Sequence, residues 1–277
     1  MNKVTGQIHD FYERNKSLIL MNHKFMDVVF KNNKKLTALV LGIILGKKDI
    51  DIAEVNTEET LPNLNYHSIA LDIYALDGIT SEYNMEIQNK NKGAEEKRAR
   101  YHSSLLDANM LEKGMDFDNL RDNYVIFITE GDYFKQGKPI YRINRKIEET
   151  GEEFNDGEHI IYVNGSDQNN NTELGRLMHD FHTADPNEMN YEEVAEAVRY
   201  YKETEEGQKI MRDVFEEVRI EGLEEGKAEG REEGIEQTKT DLAVKAISMG
   251  KMTLKEISDF FELPMSTVKK LAEAKAG

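Results

Sequence analysis

Ala70-Leu71-Asp72-Ile73-Tyr74 and Tyr83-Asn84-Met85-Glu86-Ile87-Gln88 each set an acidic residue inside a strand pattern, and a loop opening on Asp77-Gly78 joins them. Strand side chains alternate, so Asp72 shares a face with Ala70 and Tyr74, away from Ile69, Leu71 and Ile73. In the second segment Tyr83, Met85 and Ile87 form one face, and Glu82, Asn84, Glu86 and Gln88 the other. A loop spanning Asp77 to Ser81 places Asp72 opposite Glu86 on one face of a hairpin, with Cβ atoms roughly 5 Å apart. A two-residue Asp-Gly turn would shift that register. Two bare carboxylates so close repel, so either one holds a proton or a divalent cation sits between them. A charge inside a strand costs several kcal/mol unless it is paired or binds a cation, and the pair points to a metal site.

The surroundings suggest the substrate. After Gln88 come Lys90, Lys92, Lys97, Arg98 and Arg100, opposed by Glu95 and Glu96, on the way into a helix that carries Tyr101 and His102. An oxygen cage with nearby cations suits a phosphodiester: a metal polarises the phosphoryl oxygen and activates water while the cations hold the backbone. The same pattern also describes a solvated hairpin followed by a charged loop.

Asp72, Glu86-Ile87-Gln88, and Arg98 with Tyr101 on the following helix resemble the PD-(D/E)xK nuclease superfamily, and within it the recombination-promoting nucleases and transposases. In that family the third motif position often carries Gln where the superfamily has Lys. Phe25-Met26-Asp27-Val28-Val29-Phe30-Lys31 is similar to its opening helix, Tyr124-Val125-Ile126-Phe127-Ile128 to its next core strand, and Gly175-Arg176-Leu177-Met178-His179-Asp180-Phe181 to the segment closing the nuclease region. The resemblance runs to about Glu217. It implies an α/β, restriction-endonuclease-like core, a mixed central sheet flanked by helices, with an α-helical C-terminal extension.

By the same resemblance the chain is a DNA endonuclease hydrolysing phosphodiester bonds, using Mg²⁺ with Mn²⁺ able to substitute. Asp72, Glu86 and the carbonyl of Ile87 would hold the ion, and Gln88 would orient the water or the phosphate. Asp27 would be an auxiliary acid, and Lys90, Arg98 and Tyr101 would meet the DNA phosphates. The family's link to mobile elements implies strand cleavage during DNA recombination. Gln is neither a cation nor a general base, so the metal must do most of the activation of water. The alternative is a non-catalytic DNA-binding or oligomeric regulatory protein that keeps the nuclease fold.

A chain of 277 residues with 39% hydrophobic content can bury one sizeable core and add a smaller module, while 32% charged residues imply much exposed surface. With no cysteine, disulfide frameworks and thiolate zinc sites are excluded, which fits a reducing cytoplasm. No secretory signal is visible, and the longest apolar run, Leu36 to Leu45, is too short to span a bilayer; the expectation is a cytoplasmic protein without membrane contact. A net charge of −17 argues against non-specific nucleic-acid binding. The acid is concentrated in Tyr191 to Glu236, whereas the hairpin and its helix are locally basic. No Ser-His-Asp order, phosphate loop or dinucleotide fingerprint stands out. His179 and His182 have the spacing of a ligand pair but no evident third ligand, and ordinary packing accounts for them.

Along the chain, Asn2 to Asn15 reads as a polar lead-in and Lys24 to Leu45 as an amphipathic, then buried, helix. Strands are expected at Ile52 to Val55, His67 to Ala75, Glu82 to Gln88, Tyr124 to Thr129, Pro139 to Asn144 and His159 to Val163, with a helix from Glu95 to Glu112. Asp167 to Asn171 is an exposed loop, and from Leu174 the pattern is helical. The domain expectation is a nuclease-like core over 1–170, a helical segment packing on it over 171–220, a Gly/Glu-rich helical linker over 221–240, and a helix-turn-helix-like module over 241–277.

Within the linker, Gly222, Gly226, Gly230 and Gly234 recur every fourth residue, at about 1 kcal/mol each relative to Ala in a helix. The stripe reads either as a solvated, frayed linker or as a surface for self-association, which would make the chain a homo-oligomer through its C-terminal helices. In Thr253 to Leu271, Leu254, Ile257, Phe261, Val268 and Leu271 would close a small core, with Ser266 and Thr267 opening the second helix. This resembles the helix-turn-helix of sigma-like and resolvase-like DNA binders, and it also suits a plain helical hairpin. Tyr200 and Tyr201 read as core or interface residues.

Overall fold

The segment Asp122–Thr129 is apolar almost throughout, and all of it beyond Asp122 is buried in the computed structural model. A strand covered on both faces belongs in the middle of a sheet, flanked by parallel neighbours. The described residues are 11, 13–63, 68–78, 80–88, 93–111 and 113–276. They form a six-stranded mixed sheet in the order β1-β2-β3-β4-β6-β5. The strands are β1 Glu54–Leu61, β2 Ile69–Leu76, β3 Ser81–Gln88, β4 Asp122–Thr129, β5 Ile140–Ile143 and β6 Glu158–Asn164. β1, β2 and β3 meander antiparallel, β4 runs parallel to both β3 and β6, and β5 closes the edge antiparallel to β6.

A parallel β3–β4 step needs a crossover, and helix α3, Glu96–Met110, supplies it and packs on β4 and β6. Ala99, Leu105 and Leu106 of this helix share a core with Leu61, Ile69, Leu71, Val125, Phe127 and Tyr162. Against β1 and β2 lies helix α1, His23–Phe30, followed by α2, Lys34–Leu45. Helices α4, Glu173–His182, and α5, Glu192–Glu203, complete this part and contact α2.

The single helix expected over Lys24 to Leu45 is two helices. Asn32 turns left-handed at φ 57°, and the Asn33 side chain caps α2 by accepting from the Leu36 amide at 3.1 Å. A capping side chain that satisfies an orphan N–H favours a restart over continuation. The first strand is longer than the expected Ile52 to Val55, because polar residues on a sheet edge carry no apolar signal yet still pair with β2 from Glu54 to Leu61. The remaining elements lie within a few residues of expectation. Residues 2–10 and 12 of the polar lead-in lie outside the described residues. Among the described residues no helix is long and apolar enough to cross a membrane.

The chain divides into two units, Met1–Arg212 and Asp213–Gly277. Helix α6 spans Glu205–Met249 and includes the glycine stripe. In the second unit α7, Leu254–Phe261, and α8, Met265–Ala276, close a core of Ala243, Ile257, Leu263 and Val268 with Leu254, Phe261 and Leu271 packed on it. Thr253 and Glu256 form a capping box at the start of α7, and Glu262 ends it at φ 53°.

Candidate active site

The hairpin carries the longer loop, not a two-residue Asp-Gly turn: β2 ends at Leu76, β3 begins at Ser81, and the Asp77 amide donates to the Ser81 carbonyl at 3.2 Å. The Asp77 carboxylate organises this turn, accepting from the amides of Thr80 and Ser81 at 3.1 and 2.7 Å and from the Tyr83 hydroxyl at 3.0 Å. The register Ile73↔Met85 and Tyr74↔Asn84 continues to Asp72 opposite Glu86. Side chains take over the ladder at this point. The Ile87 amide donates to Asp72 Oδ2 at 2.9 Å, and the Asp72 amide faces Glu86 Oε1 at 3.4 Å.

Both carboxylates resist ionisation. Burial pushes Glu86 above its usual range, and the neighbouring Asp72 charge pushes further, against the pull of Arg98. Asp72 is likewise raised by burial and partly relieved by the Ile87 N–H. Glu86 is fully buried, so without a counter-cation the two sites favour sharing a proton over carrying two charges.

Helix α3 closes over this face. Arg98 Nη2 lies 3.4 Å from Glu86 Oε2, and Arg98 Nε donates to His102 Nε2 at 3.2 Å. Arginine has only donors, so Nε2 of His102 accepts and the neutral ring carries its proton on Nδ1. Burial and the Arg98 charge hold the imidazole neutral, its pKa lowered to about 4. Nδ1 faces the Asn84 amide at 3.0 Å and Glu86 Oε1 at 3.6 Å. Turning the Asn84 amide over brings its buried Oδ1, which has no partner as placed, onto that N–H.

Gln88 sits at the open end of β3, and Gly93 explains its position. A Cβ on Gly93 would stand 2.4 Å from Gln88 Oε1 and 3.2 Å from Arg98 Nη1, and φ there is +106°. A side chain at 93 would be strained by that φ and would have to push the Gln88 amide and the Arg98 guanidinium aside. Tyr101 accepts at its hydroxyl from Asn63 Nδ2 at 3.2 Å, tying α3 to the loop after β1. Lys90 lies outside the described residues.

Asp27 enters from α1. It is buried, Oδ1 has no hydrogen-bond partner among the described residues, and its pKa is raised to about 8 by burial, then by Asp72 and Glu58. Glu58 and Lys24 are the residues that sequence reasoning missed. Glu58 occupies the register position opposite Asp72, between the pairs Thr57↔Ile73 and Glu59↔Leu71, and holds a left-handed φ of 58°. For a side chain with a Cβ that conformation costs about 1–2 kcal/mol and marks a position worth a functional question. Lys24, one turn before Asp27 on α1, forms an ion pair with Glu58. Their one trace in the sequence is the acidic pair Glu58-Glu59, which lies beyond the expected strand Ile52 to Val55 but inside β1.

Among the described residues no three His, Cys, Asp or Glu side chains are grouped to hold a metal ion by themselves. The donor chemistry nevertheless suits a hard divalent cation: carboxylates of Asp72 and Glu86 and a neighbouring carbonyl are all oxygens. The buried, unpartnered Asp27 Oδ1 adds an oxygen that lacks its solvation. His179 and His182 are engaged in packing instead, His179 with Asp180 at 3.2 Å and His182 donating from Nδ1 to the Met178 carbonyl at 2.8 Å.

A family model described as PD-(D/E)XK nuclease family transposase matches residues 24–193. No curated protein and no solved structure matches the chain.

Proposed function

We propose, from the premise that this chain belongs to the PD-(D/E)XK nuclease family transposases, that it is a divalent-metal-dependent DNA endonuclease acting in DNA recombination. The fold, a mixed sheet flanked by helices with C-terminal helices beyond it, is consistent with a PD-(D/E)XK fold. The observation that carries the reading is the pairing of buried Glu86 with half-buried Asp72, whose charges lack enough compensation within the chain.

In this reading Asp72, Glu86 and the Ile87 carbonyl hold Mg²⁺, with Mn²⁺ as a substitute and Asp27 as auxiliary acid. A divalent cation held there would supply polarisation of the phosphoryl group and a water of lowered pKa for in-line attack. Gln88, braced against Gly93, orients the water or the phosphate through its amide but abstracts no proton. Arg98, with Lys90 and Tyr101, contacts the DNA backbone, and Arg98 offsets charge at the phosphate. His102 keeps the guanidinium in place through Nε2. The core over 1–170 would do the chemistry, 171–220 would support it, 221–240 would link, and 241–277 would target DNA or a second copy. A cytoplasmic location completes the proposal.

The α7–α8 hairpin, with its own core, favours a second reading: a DNA-binding or oligomeric regulatory protein that keeps the nuclease fold without efficient chemistry. Incubating the protein with supercoiled plasmid and linear single-stranded DNA over Mg²⁺ and Mn²⁺ series, beside Asp72→Ala and Glu86→Ala, decides between them. Metal-dependent nicking lost in both variants supports the nuclease. Cleavage that never occurs, or survives both substitutions, leaves the binding protein.

A further inference from the structure

We propose that Lys24 is a phosphate-binding cation of the site, held in place by Glu58 until the DNA backbone displaces it. The inference deepens the nuclease reading and rests on it.

Three observations converge on these residues. Gln88 leaves the third motif position without charge, and on the α3 side Arg98 is already engaged by Glu86 and His102. On the opposite side α1 lies against β1 and β2, and Lys24 precedes Asp27 by one turn, so the two share a helix face. Lys24 Nζ ends on Glu58 Oε1, at the strand position directly opposite Asp72.

Glu58 has the form of a latch. Its left-handed backbone interrupts an otherwise regular edge strand at the β1 register position facing Asp72. The Glu58 side chain is more than half exposed and that of Lys24 about a third, at 57% and 30%, so solvent and a polyanion both reach the pair. An exposed carboxylate holds a lysine weakly. A phosphodiester competes for the ammonium with comparable charge and releases condensed counterions as it binds. The ammonium therefore transfers from Glu58 to the DNA, and Glu58 is left beside Asp27 and Asp72.

A latch and a merely structural bridge give opposite signatures. Binding of a fluorescein-labelled linear DNA duplex to the full chain is followed by anisotropy over a salt series, with Ca²⁺ in place of Mg²⁺ to suppress cleavage. Losing one phosphate contact in Lys24→Met should lower affinity and reduce the slope of log K against log salt by about 0.9, and Lys24→Arg should restore the slope. Glu58→Gln should act in the opposite direction, raising affinity several-fold by removing the carboxylate that competes with DNA for Lys24. Thermal melts of each variant show whether it is folded. A Lys24→Met protein that is folded and keeps the wild-type slope overturns the proposal, as does a Glu58→Gln protein that binds more weakly. If the wild type cleaves plasmid while Lys24→Met keeps the slope, only this inference fails; if the wild type neither binds nor cleaves, the nuclease reading falls and takes the inference with it.

Discussion

Asp72 and Glu86 each reach into the other's strand: Asp72 Oδ2 accepts from the Ile87 amide at 2.9 Å, and Glu86 Oε1 faces the Asp72 amide at 3.4 Å. The two carboxylates thus sit where backbone groups of a regular ladder would meet. The N–H groups favour the charged forms, while burial and mutual repulsion oppose them. Burial wins in both residues, as it does in Asp27. A site in this condition binds protons when it has nothing else to bind.

The first expected outcome concerns pH. Asp27, Asp72 and Glu86 have raised folded-state pKa values, so the folded chain holds more protons than the unfolded one. Their contribution to stability is fully present below the ordinary carboxylate range and is lost as pH rises towards about 8, the value for Asp27. Metal-free protein should melt at falling temperature from pH 5 to pH 8. Apparent Mg²⁺ affinity should climb over the same window, by up to about tenfold per pH unit for each proton released. Calorimetry at several pH values measures both; a flat melting temperature and flat affinity would show that the carboxylates are already ionised.

Glu86→Gln should stabilise the metal-free protein while abolishing cleavage. The amide fills the same volume without a buried charge beside Asp72, and its oxygen still accepts one of the two hydrogen bonds. At pH 8 the gain should be about 1–3 kcal/mol by denaturant unfolding. A destabilised Glu86→Gln protein would mean that the Arg98 contact outweighs burial and repulsion.

Much of this arrangement could be read from the chain. The alternation in 69–76 and 82–88 put Asp72 and Glu86 on one face, because one-residue slips exchange faces and the buried face tolerates none, but only the fold chose the Asp77–Ser81 loop over a two-residue turn and so set the two opposite each other. The central strand was legible from Tyr124 to Thr129 because burial on both faces demands unbroken apolar sequence. Glu58 showed only as half of the acidic pair Glu58-Glu59: edge strands are polar, and a left-handed residue inside one leaves no mark in composition, so nothing singled it out. The engagement of Arg98 by His102 was equally hidden, since four residues apart on a helix says who can meet but not which partner a guanidinium takes.

Gly93→Ala should displace Gln88. The new Cβ would need the space of Gln88 Oε1, 2.4 Å away, and φ of +106° is strained for any residue with a side chain. The expected result is a loss of about 1–3 kcal/mol in stability and a fall in kcat with little change in DNA affinity. Steady-state cleavage kinetics would show it. If kcat holds, then the Gln88 amide has no part in positioning water or phosphate.

Lys202→Met tests a feature remote from the carboxylates. The Lys202 ammonium, buried beneath α5 over the Phe25 ring, donates to the carbonyls of Lys16, Leu18 and Ala184 at 2.9, 2.6 and 2.5 Å. It fixes the chain entering α1, and with it the approach to Asp27. Methionine matches the length and apolar stem but has no donor, so three carbonyls lose a partner at a cost of about 2–4 kcal/mol. Burial lowers the lysine pKa to about 8, so the unfolded chain keeps this proton at higher pH than the folded one. Wild-type stability should gain a rising component between about pH 8 and the ordinary lysine range, and Lys202→Met should lack it. Cleavage well below the melting temperature should survive, because Lys202 acts on the fold. Loss of that cleavage in a variant still folded by circular dichroism would instead make the α1 entry part of the catalytic apparatus.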